Sequence, residues 1–289
     1  MTLLLDEIAM ATARLAQAGI ESPRADAELI AAHLHEVPRG QLHTVADAGF
    51  DPRFWDDIAR REAREPLQHI TGRAYFRYLE LAVGPGVFVP RPETEELAGW
   101  AVERLAALDV AEPVVADLGT GSGAIALAIA QEVPRAQVHA VEADPRARQW
   151  AARNVASLAA AAPHTAGRVT LHAGDFATAL ADLDGAVDLV ISNPPYLPPG
   201  TELGPEVSDY DPPAALWGQG DGLDAIRVVA AAAARLLRPG GLVAVEHDAS
   251  QGPAVYWLLA EENGWRHTRN HADLAGRDRF VTAARHVAG

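Results

Sequence analysis

From about residue 91 onward, short apolar runs alternate with helical segments, and that alternation restricts the fold more than any other feature of the chain. Val114-Val115-Ala116 is the first run, followed by glycines and a helical stretch over 124–130. Val138–Val141, Val169–Leu171, Val187–Ile191 and Leu242–Val245 supply the second to fifth. An alanine-rich helix over Leu223–Leu237 stops at Pro239-Gly240-Gly241. Strands separated by helices predict an α/β domain with a mostly parallel sheet covered on both faces. Ligands of such sheets sit beyond the carboxyl ends of the strands, so the residues just after each run carry the functional information.

After the first run stand Asp117-Leu118-Gly119-Thr120-Gly121-Ser122-Gly123. Gly119 and Gly121 let a ligand approach the backbone where a Cβ would clash, and the helix that follows offers free N–H donors. Gly119, Gly121 and Ala124 also satisfy the dinucleotide-binding pattern, so NAD or FAD stays open, as does a tight structural turn. Asp117 favours another ligand. A carboxylate at the mouth of the loop repels a pyrophosphate but suits the cationic amino-acid end of S-adenosylmethionine, directly or through water. Glu142, after the second run, is placed to accept both ribose hydroxyls of either cofactor. Asp144, next to Pro145, reads as a helix N-cap. After the third run, Asp175 suits the adenine amino group and Phe176 the adenine face; the alternative is a solvated acid beside a core phenylalanine.

The sharpest signal, Ser192-Asn193-Pro194-Pro195-Tyr196, follows the fourth run. Methyl transfer to a planar NH₂ needs a site that holds the group while its delocalised nitrogen moves toward tetrahedral geometry. The Asn193 side-chain carbonyl and the Pro194 main-chain carbonyl can each accept one N–H, aiming the nitrogen lone pair and stabilising developing positive charge. Pro194 and Pro195 stiffen the loop and remove competing donors. Tyr196 would pack over the acceptor. The structural alternative is a rigid turn ending a buried strand. His247 and Asp248, after the fifth run, read as filling or capping.

The N-terminal part has a different texture. Leu4, Leu5, Ile8, Ala11 and Leu15 form one helical stripe ending near Gly19. Ser22-Pro23 and Asp51-Pro52 would each open a further helix. Residues 72–90 are richer in aromatic and β-branched residues, with Gly84-Pro85-Gly86 as punctuation, and suit a hairpin or extended linker. The expected organisation is therefore a helical domain over 1–70, a hairpin linker over 71–90 and the α/β domain over 91–289.

Composition narrows the function classes. The chain has 289 residues, no cysteine and a net charge of −15, which disfavours contact with phosphate backbones and excludes thiolate chemistry. No stable nucleic-acid binding and no membrane association are expected, nor a metal: His33 and His35, two apart, point to different helix faces. The N-terminus lacks a basic segment before its apolar run and does not read as a secretory signal, so a cytoplasmic location is expected. Neither a nucleophile elbow nor a Walker loop is present.

Nearly the whole chain resembles the PrmC/HemK protein-(glutamine-N5) methyltransferases. The resemblance rests on Glu65-Pro66-Leu67-Gln68-His69-Ile70-Thr71-Gly72, Phe88-Val89-Pro90-Arg91-Pro92-Glu93-Thr94-Glu95, the glycine loop, Asn193-Pro194-Pro195-Tyr196 and the acidic stretch Glu206–Pro212. It implies a small helical N-terminal domain, which would help dock the protein partner, joined through a hairpin to a Rossmann-like, seven-stranded methyltransferase domain. It also implies a protein substrate, the glutamine of the Gly-Gly-Gln motif of class I peptide chain release factors. By position, Gly119 to Gly123, Glu142, Phe176 and Asn193 would bind S-adenosylmethionine, and Asn193 to Tyr196 would hold the glutamine amide. Arg91 and Glu93 would line the substrate channel or, with Pro92, simply start a helix. Phe176 departs from the family, where an indole is common; it keeps a stacking face but loses an N–H. The residues alone argue for planar-nitrogen methylation and leave adenine-N6 methylation of DNA or RNA as the nearest rival. An NAD-dependent oxidoreductase and a non-catalytic binding protein are more distant.

Overall fold

The computed structural model describes residues 4–47, 51–260 and 264–286. Met1–Arg73, Val83–Pro85 and Leu203–Tyr210 form one compact unit; Ala74–Ala82, Gly86–Glu202 and Asp211–Gly289 form the other.

The first unit contains α1 (Leu4–Gln17), α2 (Pro23–Leu34), α3 (Arg53–Glu62) and α4 (Leu67–Thr71). Leu4, Ile8, Ala11 and Leu15 bury one stripe of α1 against Ile30 of α2 and Phe54 and Ile58 of α3. Leu5 departs from the expected stripe and is 54% exposed, because one step along a helix turns a side chain by roughly 100°. Gly19 ends the first helix at φ 74°, the left-handed conformation that glycine adopts without strain. Ser22 precedes Pro23 but makes no side-chain capping bond, whereas the Asp51 carboxylate accepts the Arg53 N–H at 2.8 Å. Inside this unit the buried Arg61 reaches Asp26 at 2.7 Å and Glu206 at 3.1 Å. Arg64 meets Glu206 at 2.8 Å. Glu206 belongs to the single turn α8 (Pro205–Ser208), so a segment remote in sequence completes the charge pairing of α3.

β1 (Arg73–Phe76) and β2 (Leu79–Ala82) pair as a two-stranded sheet. The second unit is built on a seven-stranded sheet of β3 (Val114–Leu118), β4 (Gln137–Glu142), β5 (Val169–Ala173), β6 (Val187–Ser192), β7 (Leu237–Glu246), β8 (Trp265–Ala272) and β9 (Asp278–Arg285). Its spatial order is β5-β4-β3-β6-β7-β9-β8. All neighbours are parallel except β7 with β9 and β8 with β9. Helices α5 (Thr94–Ala107), α6 (Ala124–Glu132), α7 (Pro145–Ala161), the short α9 (Pro213–Leu216), α10 (Asp224–Leu236) and α11 (Gly252–Leu258) accompany it. α6 is buried at every residue from Ala124 to Ala130, which explains its uniformly apolar sequence. β7 starts five residues before the expected run, at Leu237, and takes in Pro239-Gly240-Gly241 with a register shift against β6.

The chain runs outward in one direction from β3 through β4 to β5, then crosses back to β6 on the other side of β3. That reversal opens a crevice at the carboxyl ends of β3 and β6, where open α/β sheets bind ligands. Ser192 Oγ ties the two strand ends together by donating to the Leu118 carbonyl at 2.6 Å.

Candidate active site

A cavity of about 210 Å³ opens at this crevice. Gly119, Thr120, Gly121 and Ser122 line it from the β3 loop, Glu142 from the end of β4, Phe176 from the loop after β5, and Asn193 and Pro195 from the loop after β6. Arg91 and Thr94 line it from the segment leading into α5. Four loops far apart in sequence thus converge because each follows a parallel strand or abuts its end.

The glycine loop is shaped by its own backbone. Gly119 and Gly121 have φ of 80° and 59°, with open space where a Cβ would stand. The Gly119 and Thr120 N–H groups donate to the Val141 carbonyl at 3.0 and 2.9 Å. Gly123 does not line the cavity; it is the N-cap of α6 at φ 88°. Glu142 is half-buried, and its two oxygens accept the Gly121 and Asp144 N–H groups, each at 2.8 Å. Asp144 caps α7 by accepting the Arg146 N–H at 2.7 Å, and Asp248 caps the turn over 249–251.

Asp117 stands behind the cavity rather than at its mouth. It is fully buried, and its Oδ2 accepts the Thr120 hydroxyl at 2.5 Å and the Ala126 N–H at 3.2 Å. Burial pushes its pKa up to about 7 against the pull of those two donors. Its Oδ1 is buried without a partner. Asp175 is exposed, outside the lining, and accepts the Ala177 N–H at 2.8 Å, the bond of a short side chain closing its own turn.

In the loop after β6, the Asn193 amide nitrogen donates to Thr94 Oγ1 at 3.1 Å. Pro194 is buried and does not contribute to the lining. The Tyr196 ring packs against the sheet core beside α10, and its hydroxyl donates to Glu246 Oε1 at 3.2 Å. A buried tyrosine is stabilised by such an arrangement, ring in apolar surroundings and hydroxyl on an acceptor. Desolvation and the neighbouring Glu246 raise its pKa above the ordinary value. The Tyr196 carbonyl accepts Gln251 Nε2 at 2.8 Å.

Arg91 is held by an ion pair with the buried Asp211, and its guanidinium lies 4.7 Å from the Phe88 ring centroid. Burial raises the Asp211 pKa to about 6 while the Arg91 charge opposes it. Glu93 lies outside the lining as the N-cap residue of α5, 3.7 Å from Arg277.

Three contributors had no assigned role in the sequence. Thr94 stood unremarked inside the Pro-Arg-Pro-Glu-Thr-Glu segment. Glu246 closes β7 one residue before the residues singled out there. Asn154, buried on α7, bridges the Ala82 N–H and carbonyl (2.8 and 3.0 Å) to the Ser122 carbonyl at 2.9 Å, joining the β hairpin to the glycine loop. A lone asparagine on an otherwise apolar helix face was the available signal. Among the described residues, no group of three or more His, Asp or Glu could hold a metal ion, and no helix is long and apolar enough to cross a membrane.

A parallel sheet with a glycine loop after its first strand and an Asn-Pro-Pro-Tyr loop after its fourth, both on one cavity, defines a methyltransferase. Residues 7–72 match the PrmC N-terminal domain and residues 100–203 the methyltransferase small domain. The chain is 59% identical to a release factor glutamine methyltransferase of Streptomyces coelicolor, covering 98% of each chain. It is 48% identical to one of Mycolicibacterium smegmatis, covering 99% of each. It is also 41% identical to a 4-amino-L-phenylalanine/4-methylamino-L-phenylalanine methyltransferase of Streptomyces pristinaespiralis, over 97% of this chain and 94% of that one. A solved release factor-specific protein-(glutamine-N5) methyltransferase of Alicyclobacillus acidocaldarius is 30% identical, covering 71% of this chain and 99% of that one, with a TM-score of 0.42. The chain belongs to the release factor glutamine methyltransferase family.

Proposed function

We propose that this enzyme transfers a methyl group from S-adenosylmethionine to the side-chain amide nitrogen of the Gly-Gly-Gln glutamine in class I peptide chain release factors. The observation that carries the reading is that Asn193 and Pro195 share one cavity with the glycine loop, Glu142 and Phe176.

The cofactor fits the residues present. Positive-φ glycines leave room for a ligand against the backbone, Glu142 offers its remaining lone pairs to ribose hydroxyls, and Phe176 offers a flat face to adenine. When bound, S-adenosylmethionine supplies an electrophilic methyl group on a sulfonium. The chain's own work is to hold the acceptor. Asn193 Oδ1 and, once the acceptor is seated, the Pro194 carbonyl, whose residue lies outside the cavity lining, would each take one N–H of the glutamine amide, which orients the nitrogen lone pair and favours the cationic, tetrahedral nitrogen of the transition state. Apolar lining excludes water that would otherwise solvate that nitrogen. The nitrogen loses a proton after transfer, to a group that need not be strongly basic, because an N-methylated, protonated amide is a strong acid.

A second reading has one observation behind it, the relative named for an aromatic amine. An anilino NH₂ is also planar and partly delocalised, so the same carbonyl pair would suit it. The 59% identity over the full chain to a release factor enzyme favours the protein substrate. A cytoplasmic location accords with a release factor partner, and the net charge of −15 argues against a nucleic-acid substrate. The test is incubation with methyl-labelled S-adenosylmethionine and, separately, a class I release factor, its Gln→Ala motif variant, 4-amino-L-phenylalanine and duplex DNA. Label on the release factor but not its variant is expected; label only on the amine or the DNA overturns the reading.

A further inference from the structure

Pro194 and Pro195 have no N–H to donate, which leaves the Asn-Pro-Pro-Tyr loop to be fixed from its ends. At the first end Asn193 Nδ2 meets Thr94 Oγ1 at 3.1 Å. At the last end the Tyr196–Leu197 peptide is gripped on both edges. Its N–H, on Leu197, donates to the Leu216 carbonyl at 3.0 Å. Its carbonyl, on Tyr196, accepts Gln251 Nε2 at 2.8 Å. Leu216 closes α9, whose Ala214 and Ala215 line the cavity. One peptide plane thus joins two walls of the cavity, and a single side chain, Gln251, reaches its oxygen.

Gln251 is 7% exposed and stands outside the cavity lining. The two ends of its amide do different things. Oε1 accepts the Asp248 N–H at 3.0 Å, the reciprocal half of a capping box over the turn that follows β7. Nε2 makes the bond to Tyr196. Capping needs an acceptor, which glutamate supplies as well as glutamine. The bond to Tyr196 needs a donor, which an ionised glutamate lacks. The turn therefore does not account for an amide at this position, and the acceptor loop does. Gly222 adds an independent observation. At its φ of 84°, a Cβ would stand 2.5 Å from the Tyr196 carbonyl oxygen and 2.7 Å from Gln251 Nε2. A glycine there leaves the contact between them open.

The bond acts on the reacting amide through a stiff chain. Planar peptide bonds and two proline rings leave Pro194 and Pro195 one soft torsion each. Turning the Tyr196 carbonyl therefore shifts Pro195 in the cavity wall and the Pro194 carbonyl with it. The glycine loop, Glu142 and Phe176 follow other strands, β3, β4 and β5. We propose that Gln251 is a positioning residue for methyl transfer, whose NH₂ holds the Tyr196 carbonyl and so keeps the acceptor loop in place against the cofactor. The proposal rests on the reading of that loop as the holder of the acceptor amide.

The test compares Gln251→Glu, Gln251→Met and Gly222→Ala in the full chain at alkaline pH, where the new carboxyl is ionised. Each is measured for kcat and KM with a release factor, S-adenosylmethionine affinity and thermal midpoint. Gln251→Glu keeps the cap but sets a carboxylate against the Tyr196 carbonyl. It should lower kcat by about 100-fold, the scale of a slightly misplaced reacting group, with KM and cofactor affinity unchanged. A residue that only caps the turn predicts wild-type kcat in this variant, because glutamate caps equally well, and that result overturns the proposal. Gln251→Met should lose as much in kcat and should also lower the thermal midpoint, since the cap goes too. Gly222→Ala spares the cap, forces the carbonyl and the amide apart, and should lower kcat with KM unchanged. A rate loss that tracks a fall in cofactor affinity across the three variants also overturns the proposal. If Gln251→Glu does not fold, the other two decide, and wild-type kcat in either overturns it. Failure of the wild type to label a release factor would instead sink the substrate assignment, and the same variants are then read with whichever acceptor is labelled.

Discussion

Replacing Asp117 by asparagine should make the apo protein less sensitive to alkaline pH, although the residue sits at the heart of the cofactor loop. The folded-state pKa of Asp117 is about 7 against an ordinary 3.8. Below pH 4 both states carry the proton and the residue contributes no pH dependence. Between pH 4 and 7 the unfolded chain releases the proton and the folded chain keeps it, so stability falls as pH rises. Above pH 7 the loss is complete, at about 4 kcal/mol from about 1.36 kcal/mol per pH unit. Asparagine keeps an oxygen for Thr120 and Ala126 and does not ionise. Its NH₂ replaces the unpartnered Oδ1, a cost of about 1–3 kcal/mol that is the same at every pH. Relative to wild type, Asp117→Asn should therefore gain about 3 kcal/mol between pH 5 and pH 8, on the order of 6–12 °C in thermal midpoint. Urea unfolding of both proteins at the two pH values measures the difference, and other groups titrating in that range cancel. Parallel pH profiles for the two proteins would show that the Asp117 carboxyl is not protonated in the folded state and would refute the reasoning.

Asn193→Ala should abolish methyl transfer while leaving S-adenosylmethionine affinity largely intact, read by filter assay and calorimetry; loss of fold instead would make the loop a structural turn. Gly121→Val should weaken cofactor binding by at least tenfold, because its φ of 59° costs an ordinary residue about 1–2 kcal/mol and the added methyl groups enter the cavity; unchanged affinity would misplace the pocket. Asn154→Leu should destabilise the protein by about 2–4 kcal/mol, since buried backbone groups of Ala82 and Ser122 lose their partners, and it should raise the cofactor Kd through the displaced glycine loop, as a chemical denaturation series and a binding isotherm would show.

The parallel core of the sheet was legible because strands buried on both faces read as continuous apolar runs: β6 is buried at every residue, including Asp188 and Ser192. β8 and β9 were not visible in that pattern. β8, Trp265-Arg-His-Thr-Arg-Asn-His-Ala272, is an edge strand with one buried residue, and no apolar periodicity survives in it; only the family resemblance implied a sixth and a seventh strand. The loops that line the cavity were legible because glycine and proline have backbone meanings that do not depend on tertiary context. The side chains that orient them were not. Nothing local to Thr94 says that its hydroxyl meets Asn193, 99 residues away, and Asp117, read from the sequence as a partner for the cationic end of the cofactor at the loop mouth, is placed behind the cavity by a burial that only the finished fold creates.

Glu206 gives the N-terminal unit an unusual property as an evolutionary module. Its carboxylate pairs with both Arg61 and Arg64 from a segment inserted between two strands of the catalytic sheet, after β6 and before β7. A gene fusion that moved residues 1–73 to another enzyme would carry those two guanidinium groups away from their shared anion. The helical unit therefore has to be inherited together with a particular loop of its own methyltransferase, and swaps between relatives should succeed only when both pieces travel.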